Sequence, residues 1–163
     1  MTKIKISIIF YIDYSNFEVG NKSLAQQKNI AKTWSEHAIH APETDYLYID
    51  NSRIAGAGRG LFTAITIYKD EIIAVYTGET ITEKEAEKRA LAGNDDYFMN
   101  LHDGNTLDCM SSNCFAKYAN DVEGTRLKAN AFIGMNELNE VCLIANKTIQ
   151  ADSEIYCNYG KKY

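Results

Sequence analysis

Apolar and polar positions alternate in short runs along most of this chain, with turn-forming residues between the runs. Lys3 to Tyr11 reads KIKISIIFY, rich in β-branched residues, and predicts a strand. From Ser23 to His40 the period lengthens. Leu24, Ile30, Trp34, Ala38 and Ile39 recur at roughly helical spacing, and Pro42, the only proline, marks the end of that predicted helix. Beyond it, short strands are predicted at 46–50 (YLYID), 71–76 (EIIAVY), 97–101 (YFMNL), 106–108, 129–135 and 141–145, with a last strand-like piece before Gly160. HDGN at 102–105 is read as a turn, and 136–140 as the connection between two strands. One further helix is expected from Thr82 to Ala92. Glu85 stands three residues after Thr82, where a capping box places it, and Gly93 fits the C-terminal end. Many short strands with few helices imply a mostly β fold. The change of texture divides the chain into a strand–helix extension over 1–45 and a main domain over 46–163.

Composition narrows the function classes. A chain of 163 residues with 45% hydrophobic and 24% charged positions suits one soluble domain with its own core. No apolar run approaches the roughly 20 residues that span a bilayer, so no membrane partner is expected. Met1 to Tyr11 alternates lysine with isoleucine, unlike a signal peptide. A formal charge of −5 argues against nucleic acid as the main partner and suits a basic protein substrate, which opposite charge would steer. Cys109, Cys114, Cys142 and Cys157 form no C-x-x-C pair, so they read as reduced thiols of an intracellular protein rather than zinc ligands. His37 and His40 read as exposed helix residues, and no metal site is expected.

Three islands carry candidate chemistry. IAGAGRGLF (54–62) concentrates small residues, which lets backbone come close to a ligand; it reads equally as a tight turn, and the dinucleotide and Walker spacings are absent. FAKYAND (115–121) ends in Asn120 and Asp121. An asparagine offers donor and acceptor together, although a helix end with an Asn-Asp turn is the plainer reading. EIYCNYG (154–160) puts two tyrosines and a glycine near the chain end, either as edge-strand packing or as polar tips in an apolar pocket.

In this order and spacing, the islands resemble the SET domain family of protein lysine methyltransferases. GRGLF (58–62) is similar to its cofactor glycine motif. EIIAVYTGE (71–79) is similar to its following strand, FAKYAND to its run ending in Asn-His, Asn130 in KANAF to the asparagine after it, and EIYCNYG to its Tyr-Gly signature. The resemblance spans about Tyr46 to Tyr163. It implies a mostly β fold of small curved sheets, with the Tyr-Gly segment passing through a loop near the second island as a pseudoknot. It implies S-adenosylmethionine as cofactor. Gly58, Arg59 and Gly60 would hold its methionine part, Asn120 its amine, the main chain at Asp121 its adenine, and Tyr163 would cover that ring. Asp121 departs from the family's usual histidine. The resemblance makes Tyr159 the catalytic tyrosine, and Tyr76, Tyr97 and Cys157 the walls of a lysine channel. The smaller Cys157 would leave room for a di- or trimethylated product.

The chemistry suits these residue types. Transfer from a sulfonium needs a neutral lysine amine, and an apolar aromatic channel disfavours the ammonium form. A tyrosine oxygen can contact the polarised methyl hydrogens, and alignment supplies much of the acceleration. An active lysine methyltransferase is the preferred reading. A SET-fold module that binds protein or cofactor without catalysis is the alternative, favoured by Asp121 and by the lack of a zinc-binding cysteine segment after Tyr-Gly. A structural protein without cofactor is the third. Which protein is methylated, and the oligomeric state, are left open.

Overall fold

The computed structural model describes residues 38–159 and the backbone of Ser7–Ile8. The chain order is β1 (Ser7–Ile8), α1 (Glu43–Tyr46), β2 (Leu47–Asn51), β3 (Arg59–Thr63), β4 (Ile72–Val75), β5 (Glu79–Ile81), α2 (Glu83–Leu91), β6 (Phe98–Asn100), β7 (Thr106–Asp108), a 3-10 turn (Ala116–Tyr118), β8 (Asn120–Asp121), β9 (Ala131–Met135), β10 (Val141–Ala145) and β11 (Ser153–Cys157). Among the described residues these strands form three small sheets, ordered β1-β6-β7-β5, β4-β10-β9 and β2-β3-β11-β8. The fold is therefore mostly β, as the short alternating runs require.

Where alternation is clear, element and expectation coincide. β10 spans Val141–Ala145, and its antiparallel pairing with β9 through the Asn136 turn is regular. Asn136 Oδ1 builds that turn by accepting from the backbone N–H groups of Leu138 and Glu140 at 3.0 and 2.9 Å. Thr82 caps α2, its hydroxyl accepting from Glu85 N, and Gly93 takes a φ of +78° past the helix end. The reciprocal half of the capping box is not made. The Glu85 carboxylate instead meets Lys88 and Arg89 one turn on.

Some expectations change and others fall outside the described residues. The helix expected over 23–40 lies outside the described residues up to 37, and its last positions are not helical. Ala38 makes a parallel bridge to Ile72, and Pro42 caps the start of α1. Three strands were not anticipated: β3, β5 and β8. The glycines of 54–62 read as a tight turn or a close approach to a ligand, and they hide that Arg59–Thr63 is a strand. In fact Gly60 to Thr63 are all buried, sandwiched between β2 and β11. Of the strand expected over 3–11, Ser7–Ile8 is described, paired parallel to β6.

The core lies between the sheets. Leu61, Ile67, Ile73, Leu143 and Ile155 are its fully buried large residues. β11 occupies the middle. Ser153 to Ile155 pair antiparallel with β3, then Tyr156 and Cys157 pair parallel with β8. Asn130 locks it from a third direction: its amide donates to Glu154 O at 2.9 Å, and its Oδ1 accepts from Tyr156 N at 2.7 Å. β11 therefore carries the third island directly between the first and the second.

Candidate functional site

Around Glu154 the first and second islands meet. β3 and β11 place Gly60 against this side chain so tightly that a Cβ at position 60 would lie 2.3 Å from Glu154 Oε1. Only glycine fits there. Gly58, just before, holds a φ of +75°, which glycine takes without steric cost. Glu154 is 1% exposed and collects four donors. Ser52 Oγ and Arg53 N each reach it at 2.6 Å, Tyr156 Oη at 2.8 Å, and Asn120 Nδ2 at 3.4 Å. Asn120 Nδ2 also donates to Arg59 O at 2.9 Å, stitching β8 to the glycine segment. Asn120 Oδ1 accepts no hydrogen bond among the described residues, so it can receive an ammonium or amide N–H. This donor set, with bare glycine backbone beside an open amide oxygen, fits the amino-acid end of S-adenosylmethionine.

Beyond Tyr159 lies a small cleft, open to solvent and lined by Tyr76, Asp96, Tyr97, Phe98, Met99, Cys109, Lys117 and Tyr159. Tyr76 is buried, and burial pushes its phenol well above the ordinary range. Burial likewise raises Tyr159 and Tyr97. All three rings are therefore neutral at physiological pH. The Tyr159 hydroxyl donates to Ala119 O at 2.5 Å. Its proton is committed there, so what remains is acceptor capacity. Ala119 immediately precedes Asn120, and this bond joins the cavity to the glycine–asparagine cradle.

One wall of the cavity is braced by a lysine. Lys117 Nζ donates to the carbonyls of Cys109, Met110 and Ser112 at 3.0, 3.0 and 2.8 Å, and lies 5.1 and 5.5 Å from the ring centroids of Tyr97 and Tyr118. Carbonyls and ring faces together satisfy the cation. Behind it, Cys109 and Cys114 are buried side by side. A hydrogen bond with Cys114, and then burial, push the Cys109 thiol up.

The expected site residues are distributed as follows. Tyr76, Tyr97 and Tyr159 come together on the cavity. Gly58, Arg59, Gly60 and Asn120 come together in the cradle. Asp121 pairs with Cys157 through its main chain, while its carboxylate accepts from Glu123 N at 2.9 Å, so the side chain serves a local turn. Cys157, expected in the channel wall, is fully buried in β11 and is not among the residues lining the cavity. Burial pushes its thiol up to about 12. Tyr163 and Gly160 lie outside the described residues, as does His37. Glu154, Ser52 and Lys117 were missed. A carboxylate inside an apolar strand, EIYC, was the one signal that pointed to the first of them. Among the described residues, no cluster of His, Cys, Asp and Glu could hold a metal ion, and no helix is long and apolar enough to cross a membrane.

Comparison with known proteins bears on this geometry. The SET domain family model matches residues 58–160. The chain is 29% identical over 106 residues to the histone-lysine N-methyltransferase EZA1 of Arabidopsis thaliana, covering 63% of this chain and 12% of that protein. It is 29% identical over 117 residues to the histone-lysine N-methyltransferase mes-2 of Caenorhabditis elegans, covering 69% and 15%. The chain thus spans about an eighth of the length of the relatives it matches. Among solved structures it is similar to ctPRC2 in an autoinhibited conformation bound to S-adenosylmethionine, with a TM-score of 0.62 and 26% identity over 71% of this chain and 15% of that one. A humanized mutant of the Chaetomium thermophilum Polycomb Repressive Complex 2, bound to the inhibitor GSK126, gives 0.61 and 25% over 70% and 15%.

Proposed function

Because the chain belongs to the SET domain family, we propose that it transfers a methyl group from S-adenosylmethionine to a lysine side chain of a protein, with histones as the substrate class that its relatives' names indicate. The observation that carries this reading is the Tyr159–Ala119 hydrogen bond, because it sets a neutral, acceptor-only tyrosine oxygen where an aromatic cavity adjoins the Asn120 cradle. Residues 46–163 would form the catalytic domain, and 1–45 an extension whose last part, through Glu43 Oε1 and Val75 N, fastens to β4.

When bound, the cofactor supplies an electrophilic methyl on a sulfonium. Gly58, Arg59 and Gly60 would offer backbone groups to its amino-acid end, Asn120 Oδ1 would accept from its ammonium, and the Asp121 main chain and Tyr163 would serve its adenine. Tyr76 and Tyr97 form an apolar passage that favours the neutral amine of an entering lysine. Tyr159 Oη, its proton committed to Ala119 O, would accept from the methyl and amine hydrogens and align them. Asp96, on the cavity lining, draws a basic side chain inward.

The test is incubation of the full chain with labelled S-adenosylmethionine and a panel of histones and other basic proteins, beside calorimetric titration of the cofactor. Label transferred to a lysine is the expected result. Cofactor binding without transfer to any substrate would make the chain an inactive SET-fold module. Absence of cofactor binding would overturn the methyltransferase reading.

A further inference from the structure

Two carboxylates are buried among the described residues, and they are treated differently. Asp108 is paired with Arg89 at 2.7 Å. Glu154, the more deeply buried, has no cation within ion-pair distance among the described residues. It is held by an alcohol, a phenol, a backbone amide and a side-chain amide. Hydrogen bonds offset part of the cost of burying a charge, but a charge without a counter-ion stays expensive and leaves a negative potential in its surroundings. Those surroundings are Gly60 and Asn120, with Gly58 and Arg59 alongside. Four donors converging on one side chain favour an acceptor-only carboxylate, so the charge is held by geometry and not by a counter-ion. A glutamine keeps the shape and can present its amide oxygen to Arg53 N and Tyr156 Oη, but its amide nitrogen reverses the bond to Ser52 Oγ and faces the Asn120 amide donor to donor, which is why the melting curve accompanies this variant.

We propose that Glu154 is a charge-selective positioning residue: its carboxylate, set beneath the glycine–asparagine cradle, lets the site distinguish the sulfonium cofactor from the neutral thioether left after methyl transfer. The inference rests on the reading that the cradle binds S-adenosylmethionine. Transfer breaks the S–CH3 bond with its electron pair left on sulfur, while the amine nitrogen forms the new N–C bond and afterwards sheds a proton. The sulfur thus goes from positive to neutral. The two cofactor forms share every hydrogen-bonding group and differ only in that methyl and that charge. A fixed anion behind the cradle favours the charged form, so spent cofactor leaves and fresh cofactor replaces it. Glu154 acts through this field and touches neither ligand.

The experiment is calorimetry of S-adenosylmethionine and S-adenosylhomocysteine on the full chain, on Glu154→Gln and on Ser52→Ala, with melting curves to verify folding. The parent is expected to bind the sulfonium form about tenfold more tightly, the effect of one unit charge roughly 12 Å away at an effective dielectric of about 20. Glu154→Gln should bring that ratio close to one through loss of sulfonium affinity. Ser52→Ala removes a donor but no charge, so it should keep the ratio even if both affinities fall. A parent that binds both forms alike overturns the proposal without any variant. So does a folded Glu154→Gln with the parental ratio, or a Ser52→Ala that loses it. A parent that binds neither form overturns the cofactor reading itself, a distinct result.

Discussion

Tyr159 gives its proton to a backbone carbonyl, and this decides what it offers the cavity. Ala119 is fully buried, so Tyr159→Phe removes the acceptor oxygen from the site and also takes the hydroxyl donor from Ala119 O. Single-turnover methylation should slow by about ten- to a thousandfold, the range for losing one positioned polar group, while calorimetric cofactor affinity changes little. The melting curve should show a cost of about 1–3 kcal/mol for the orphaned carbonyl. A Phe variant with parental rate would remove Tyr159 from the mechanism. Cys157 shows how burial alters a prediction. As a channel residue, its replacement by tyrosine would simply narrow the passage. As a fully buried member of β11, Cys157→Tyr forces a ring into packed core and should destabilise by about 1–3 kcal/mol or more. A variant that melts with the parent and only shifts the product toward monomethyl lysine would return Cys157 to the channel.

At the scale of elements, α2 has the signature of a surface helix that must be fastened, since it buries no residue. Arg89 does the fastening, reaching Glu79 in β5 at 2.8 Å, Asp108 in β7 at 2.7 Å and Glu85 in its own helix at 3.1 Å. Hydrogen bonds, first to Glu79, then Asp108 and Glu85, hold its guanidinium above its ordinary value. The exposed partners contribute little, whereas Asp108 is buried and would be left uncompensated. Arg89→Met should therefore destabilise the protein, and adding Asp108→Asn should restore a large part of the loss. Denaturant titrations of the two variants decide this. Equal losses in the single and double variants would mean that Asp108 does not depend on Arg89.

For the whole molecule, closure depends on β11, which pairs on both edges with segments far away in the chain. Asn130 substitutes for a strand where the pairing changes sides, satisfying two backbone groups of β11 with one side chain. Asn130→Ala leaves both unsatisfied in a buried setting, at about 2–5 kcal/mol together. Glu154 and Tyr159 flank that point, so cofactor affinity and methylation should fall together, unlike in Tyr159→Phe. Hydrogen exchange should show the amides of Ile155 and Tyr156 losing protection first. Unchanged protection there would place the closure elsewhere.

Periodicity and turn chemistry made much of the fold legible. β10, the Asn136 turn, the Thr82 cap and the predominance of strands all follow from local rules, because alternation and capping are properties of neighbouring residues. The ordered islands likewise placed Tyr76, Tyr97, Asn120 and the glycine segment on one list of candidates. Local rules could not show that Gly60 continues a buried strand, since its glycine answers to Glu154, 94 positions later, and not to its own neighbours. Nor could they show that Cys157 is fully buried beside Tyr76 and Tyr159 or that Lys117 caps three carbonyls. Those facts depend on which segments β11 passes between, and burial and charge compensation at each residue are set by partners distant in the chain. The sequence by itself determined most of the elements, though not β3, β5 or β8, and the residue types of the candidate site; only the tertiary structure decided which side chains share a wall, because that wall is built from contacts no local pattern encodes.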